Sequence, residues 1–127
     1  MALILLDKSA WVRGGAEVLD YGELCMCAIT RLEILYSARS AQDFATLRED
    51  LDAYRDLRVD AATLAAAESA QRELAERGQH RVALPDLLIG ACAQQHGADV
   101  LHVDRHFDLL ATIFGFRSIR LASGQAG

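Results

Sequence analysis

Four acidic side chains occupy positions where carboxylates can do chemistry. Asp7 ends the apolar run Ala2-Leu3-Ile4-Leu5-Leu6, and Asp104 ends a second run, Leu101-His102-Val103. Both runs read as strands followed by helices, and in open parallel sheets functional groups gather outside the carboxyl ends of the strands. Glu33 falls one turn into a predicted helix, and Asp86 falls in the first turn of another. Four carboxylates meeting in one crevice repel, and without compensation at least one must hold a proton. A hard dication resolves this, because Mg²⁺ and Mn²⁺ favour oxygen ligands in octahedral geometry. A metal held this way lowers the pKa of a bound water and neutralises charge on a phosphoryl oxygen, the two effects that phosphodiester hydrolysis needs.

Each acid also has a structural reading. Asp7 and Asp104 precede helices, where Asp is a favoured N-cap. Thr30-Arg31-Leu32-Glu33 fits a capping box, in which Glu33 would bond back to the Thr30 amide. Asp86 suits the positive end of a helix macrodipole. What joins the four is topology, which brings helix starts and strand ends together. Histidine is given no role: His102 and His106 straddle a strand-to-helix junction, and His80 and His96 read as loop and helix-end residues.

The elements that must position these acids alternate strand and helix. Ala2–Leu6 is a predicted buried strand, followed by a short helix over Ser9–Arg13 and a loop with Gly14, Gly15 and Gly22. Leu24–Ala28 reads as a strand. Ile29–Arg39 and Ala41–Leu57 carry apolar residues at helical spacing, and Leu57–Val59 is a short strand. Ala61–Arg77 is rich in helix formers and stops at Gly78, a natural C-cap. The only proline, Pro85, opens a helix that runs to about His96 and closes at Gly97. Asp99–Val103 is a strand, Arg105–Phe114 a helix and Phe116–Leu121 a last strand. The pattern predicts an α/β/α sandwich with a central parallel sheet of four to five strands.

Composition is consistent with one domain. The chain has 127 residues, a net charge of −5 and 52% apolar residues. Its longest early apolar run is far shorter than the ~20 residues that span a bilayer. No basic flank or small-residue cleavage site marks a signal peptide, so the cytoplasm and no membrane partner are expected. Three cysteines cannot close a disulfide framework, and Cys25 and Cys27 share one strand face as small core residues. The net charge argues weakly against a polyanionic partner, since a bound cation inverts the local field. Arg13, Arg31, Arg39, Arg105 and Arg117 are candidate phosphate contacts, with surface solvation as the alternative for each.

With these motifs assembled, the chain resembles the PIN-domain ribonucleases, above all the VapC-type toxins of bacterial toxin–antitoxin pairs. Leu5-Leu6-Asp7-Lys8-Ser9-Ala10-Trp11-Val12, Ile29-Thr30-Arg31-Leu32-Glu33-Ile34-Leu35, Leu84-Pro85-Asp86-Leu87-Leu88-Ile89-Gly90-Ala91-Cys92-Ala93 and Val103-Asp104-Arg105-His106-Phe107-Asp108 resemble the family's four motifs, in order. The resemblance implies a single PIN domain over 1–122 with a flexible tail over 123–127. It implies a Mg²⁺-dependent endoribonuclease (Mn²⁺ substituting), the toxin of a type II pair, that cleaves structured RNA such as tRNA or rRNA to a 3′-hydroxyl and a 5′-phosphate. A homodimer and a cognate antitoxin are implied as partners. Asp7, Glu33, Asp86 and Asp104 become catalytic and metal-binding residues, with Asp7 and Asp86 as direct ligands and Glu33 and Asp104 acting directly or through metal-bound waters. Ser9 would hydrogen-bond within the site and Asp108 would be a supporting acid, or a solvated helix residue. Lys8 and His102 stand where the family often has Thr, and neither change removes a ligand.

Three rivals have specific requirements. A receiver-type domain wants paired acids after the first strand and a late lysine, but Lys8 is the only lysine. A haloacid-dehalogenase-type phosphatase wants Asp-x-Asp, and Ser9 occupies the second position. A catalytically inactive PIN-fold binding module remains the alternative, against which retention of all four acids speaks.

Overall fold

The computed structural model describes residues 2–12, 22–79 and 81–121. Ala2–Leu6 forms strand β1, and Gly22–Cys27 forms β2 parallel to it. Strand β3 (Arg55–Leu57) pairs with β2, and β4 (Asp99–His102) and β5 (Ser118–Arg120) extend the sheet from the other edge of β1. The order is β3-β2-β1-β4-β5, five strands, all parallel. The helices among the described residues are α1 (Lys8–Trp11), α2 (Ala28–Tyr36), α3 (Ala41–Leu51), α4 (Ala61–Glu76), α5 (Leu84–His96) and α6 (His106–Leu110).

Alternation along β1 divides the core in two. Leu5 faces one cluster with Cys25, Cys27 and apolar residues of α4, α5 and α6, whereas Ile4 and Leu6 face a second with Ala10, Met26, Ile34 and Leu51. Side chains two apart share a sheet face, so a strand covered on both sides must be apolar throughout. The result is the expected α/β/α sandwich. All three cysteines are buried and free, with Cys25 and Cys27 on one face as predicted.

Helix α5 is the deepest: Leu87, Ile89, Gly90, Ala91, Cys92 and Ala93 are all buried. Gly90 lets the Phe114 ring lie against the helix, since a Cβ there would sit 2.8 Å from Phe114 Cδ2. The helix ends at Gly97, whose φ of +65° is the left-handed cap that glycine adopts without a steric penalty.

Several predicted boundaries shift. The helix expected to run to Leu57 stops at Leu51, and Arg55–Leu57 pairs with β2, so the short strand lies two residues earlier than Leu57–Val59. Gly22, expected in a loop, begins β2 where a Cβ would lie 2.4 Å from Ile4 Cδ1. The last helix is trimmed to His106–Leu110 and the last strand to Ser118–Arg120. Arg13, Gly14, Gly15, His80 and the expected tail over 123–127 lie outside the described residues.

Candidate metal centre

The sheet order reverses at β1: successive strands step outward to β2 on one side and to β4 on the other. Crevices of open α/β sheets form at such switch points, outside the carboxyl ends of the strands. Asp7 follows β1 there, its backbone N–H still donating to Leu101 O of β4 at 3.0 Å. Its carboxylate caps α1, accepting from Ser9 N at 3.0 Å and from Ser9 Oγ at 2.5 Å. Ser9 Oγ in turn accepts from Val103 N at 3.0 Å, so one hydroxyl ties the end of β1 to the end of β4. Capping and site placement are thus the same geometry for Asp7.

The capping-box reading of Glu33 is excluded. Helix α2 starts at Ala28 with Cys27 as its N-cap, which puts Thr30 inside the helix rather than at its boundary. Thr30 Oγ1 instead donates to Leu6 O at 2.9 Å, pinning the first turn of α2 to the end of β1. Glu33, one turn on, has Oε1 buried with no hydrogen-bond partner among the described residues. Burial, then the Asp7 charge, pushes its carboxyl up, with Lys8 opposing.

Asp86 lies in the first turn of α5, after Pro85, and is only 7% exposed. Its pKa is pushed up to about 6, first by burial and then by the Asp7 charge, against a hydrogen bond from His106. That bond is 3.2 Å, from His106 Nδ1 to Asp86 Oδ2. Asp104 Oδ1 accepts from His106 N at 2.9 Å and lies 3.8 Å from the His106 ring nitrogen. Ligand atoms of Asp86, Asp104 and His106 all fall within 4.8 Å of one another. Asp7 and Glu33 are not members of that group; Asp7 acts on both Asp86 and Glu33 through its charge.

Asp108 is engaged elsewhere. It accepts from Ser118 Oγ at 2.7 Å and pairs with Arg120 at 3.1 Å, and these partners hold its carboxyl below the usual range. His102 is buried against Phe107, with ring centroids 5.0 Å apart, and its Nε2 meets Ser118 Oγ. Arg31 pairs with Asp52 and Arg117 with Asp99, while Arg39 is exposed. Arg105 and Arg120 line a shallow cleft of about 500 Å³ with Ser9, Val12, Val103 and Asp104.

His106 is the residue that sequence reasoning left without a role. Its pairing with His102, four positions away, carries no signal, whereas its partners are Asp104 and the distant Asp86. The donor set fits a dication. Two carboxylates and a ring nitrogen converge, one of those carboxylates is destabilised as an anion, and an unpartnered carboxylate oxygen is buried one helix away.

Comparison with known proteins identifies the family. Residues 4–113 match the PIN domain family. The chain is 41% identical to "Ribonuclease VapC17" of Mycobacterium tuberculosis over 133 aligned positions, covering 98% of this chain and 100% of the relative. It is 38% identical to "Ribonuclease VapC18" of the same organism, covering 87% and 88%. Among solved structures, a VapBC-5 toxin–antitoxin system of M. tuberculosis superposes with a TM-score of 0.73 at 23% identity, covering 95% of this chain and 100% of that one. DNA-bound VapBC from Salmonella typhimurium gives 0.76 at 21%, covering 94% and 98%, and both likenesses concern the fold. With a match across most of its length and relatives at this identity, the chain belongs to the PIN domain family, among its VapC members.

Proposed function

We propose that the protein is a divalent-cation-dependent endoribonuclease, using Mg²⁺ or Mn²⁺, and the toxin of a type II toxin–antitoxin pair. The reading takes residues 1–122 as one PIN domain acting in the cytoplasm. Its catalytic acids are Asp7, Glu33, Asp86 and Asp104, its substrate is structured RNA such as tRNA or rRNA, and it pairs as a homodimer with an antitoxin. The observation that carries the reading is the convergence of Asp86 and Asp104 beside the Asp7 charge, where burial and the neighbouring carboxylates disfavour the Asp86 anion and a cation would favour it. The VapC names of its relatives and the VapBC complexes among its structural neighbours support the RNA-cleaving and antitoxin parts.

In the proposed mechanism Asp86 and Asp104 hold the dication, and Asp7 completes the negative field, its rotamer fixed by Ser9. Bound there, the dication supplies Lewis-acid activation of a water nucleophile and neutralises charge on the phosphoryl oxygens. Glu33, whose buried Oε1 has no partner among the described residues and whose carboxyl is raised, would take up a proton. Arg105 and Arg120 flank Asp104 in the cleft and suit phosphate contacts of the RNA strand, for which the guanidinium fork is apt.

The test is cleavage of a structured RNA by the purified protein with Mg²⁺, with Mn²⁺ and with EDTA, beside Asp7→Asn. Cleavage that EDTA abolishes and the variant lacks is expected. Undiminished cleavage by Asp7→Asn would defeat the assignment, and tight RNA binding with no cleavage under any ion would favour the inactive binding module.

A further inference from the structure

His106 stands between two carboxylates, and what holds it there is independent of any ion. Phe107, fully buried, anchors the first turn of α6 in the core. Asp104 Oδ1 accepts the His106 amide at 2.9 Å, fixing the turn that carries the ring. The ring nitrogen Nδ1 then lies 3.2 Å from Asp86 Oδ2 and 3.8 Å from Asp104 Oδ1. Donors at ~2.1 Å from an octahedral ion sit about 3.0 Å apart when cis and about 4.2 Å apart when trans. The two separations lie within that range. Three electron-pair donors facing a common point need a positive centre among them, whether a proton on Nδ1 or a cation.

We propose that His106 Nδ1 is a ligand of the ion held by Asp86 and Asp104, and that this nitrogen makes the centre select Mn²⁺ over Mg²⁺. The inference rests on the dication clause of the proposed function and goes beyond it in naming the donor and the consequence. Neutral imidazole carries one ring proton, and with that proton on Nε2 the Nδ1 lone pair points to the ion. The His106 side chain is 40% exposed, so Nε2–H can be satisfied by solvent. Carboxylates and waters serve Mg²⁺ and Mn²⁺ alike, whereas a nitrogen donor suits first-row transition ions and is a poor exchange for water on Mg²⁺. One imidazole among carboxylates therefore raises Mn²⁺ affinity while leaving that for Mg²⁺ little changed.

The experiment is electron spin echo envelope modulation of Mn²⁺ bound to the full chain, prepared at natural abundance and with ¹⁵N-histidine, together with calorimetric Mn²⁺ and Mg²⁺ affinities. Expected are ¹⁴N modulation that converts to ¹⁵N on histidine labelling, its loss in His106→Asn, and a fall of roughly tenfold in the Mn²⁺/Mg²⁺ affinity ratio of that variant. His96→Asn should retain the modulation; circular dichroism checks that both variants fold, and the labelling result on the native chain stands without either. Bound Mn²⁺ with no histidine modulation would overturn the His106 assignment while leaving divalent-dependent cleavage intact. Absence of binding by either ion would overturn both this assignment and the proposed function.

Discussion

Asp60 and Asp86 both stand at the start of a long helix, and their surroundings treat the carboxylate in opposite ways. Asp60 caps α4, accepting from Ala62 N, Thr63 N, Gln95 Nε2 and Arg58 Nε, and the Thr63 hydroxyl closes a capping box. Those donors, led by Gln95 and Arg58, hold its carboxyl far below the usual carboxylate range. Asp86 begins α5 buried, in the field of Asp7 and Asp104, with one hydrogen bond, from a histidine, so its carboxyl rises. Helix position alone therefore does not separate a structural acid from a chemical one. The separation lies in whether the oxygens are already satisfied: a saturated carboxylate has little left to offer an ion, and an under-compensated one gains from a cation or a proton.

Substitution should break this contrast most visibly in activity. Asp86→Asn is expected to lower divalent-dependent RNA cleavage by on the order of 100-fold or more, whereas Asp60→Ala should leave it within about twofold. Initial rates on one RNA under saturating Mn²⁺ check both, and comparable losses would remove the distinction.

The pH dependence of stability sharpens it next. In the folded chain Asp86 titrates at about 6, above its ordinary 3.8, so folding favours the protonated form. The resulting stability is fully present below about pH 4 and is lost as the pH climbs through 6. The loss, complete by neutral pH, is on the order of 3 kcal/mol at most. Urea unfolding in EDTA from pH 4 to pH 8 should show this loss in the native chain and a flatter profile in Asp86→Asn. Equal slopes for the two would contradict the assignment.

A third expectation concerns the ion itself. At about 100 times its dissociation constant, a dication stabilises the folded state by about 2.7 kcal/mol. The melting temperature should therefore rise by several degrees in the native chain and in Asp60→Ala, and should stay nearly constant in Asp86→Asn. The smallest effect is structural: Asp60→Ala, losing its cap, should melt roughly 5 °C lower at neutral pH with or without the ion.

The strand ends were legible because Asp7 interrupts an apolar run, a signal confined to a few neighbouring residues. Local pattern also revealed the cap at Gly97 and the opening of α5 at Pro85. Long-range contacts were not legible. The spacing at Thr30 and Glu33 imitates a capping box, and only the Thr30–Leu6 bond shows that the hydroxyl serves the sheet instead. The helical periodicity of Ala41–Leu57 extends through Tyr54 because that side chain packs on the same core as Leu47 and Leu51, although the helix has already ended. The role of His106 is not local in the sequence, because Asp86 is 20 positions away. The one local hint was its place two residues after Asp104, where its amide meets that carboxylate.

The Ser9 hydroxyl joins positions 94 apart, Ser9 and Val103, across the line where β1 meets β4. That knot cannot be tied until the strand preceding Asp104 has docked, however early the segment around Asp7 finds its own shape. A chain still emerging from the ribosome would carry three of the four acids and no finished crevice to put them in. Closing the crevice thereby requires that the first and last thirds of the chain be joined, a dependence written into the connectivity of the sheet.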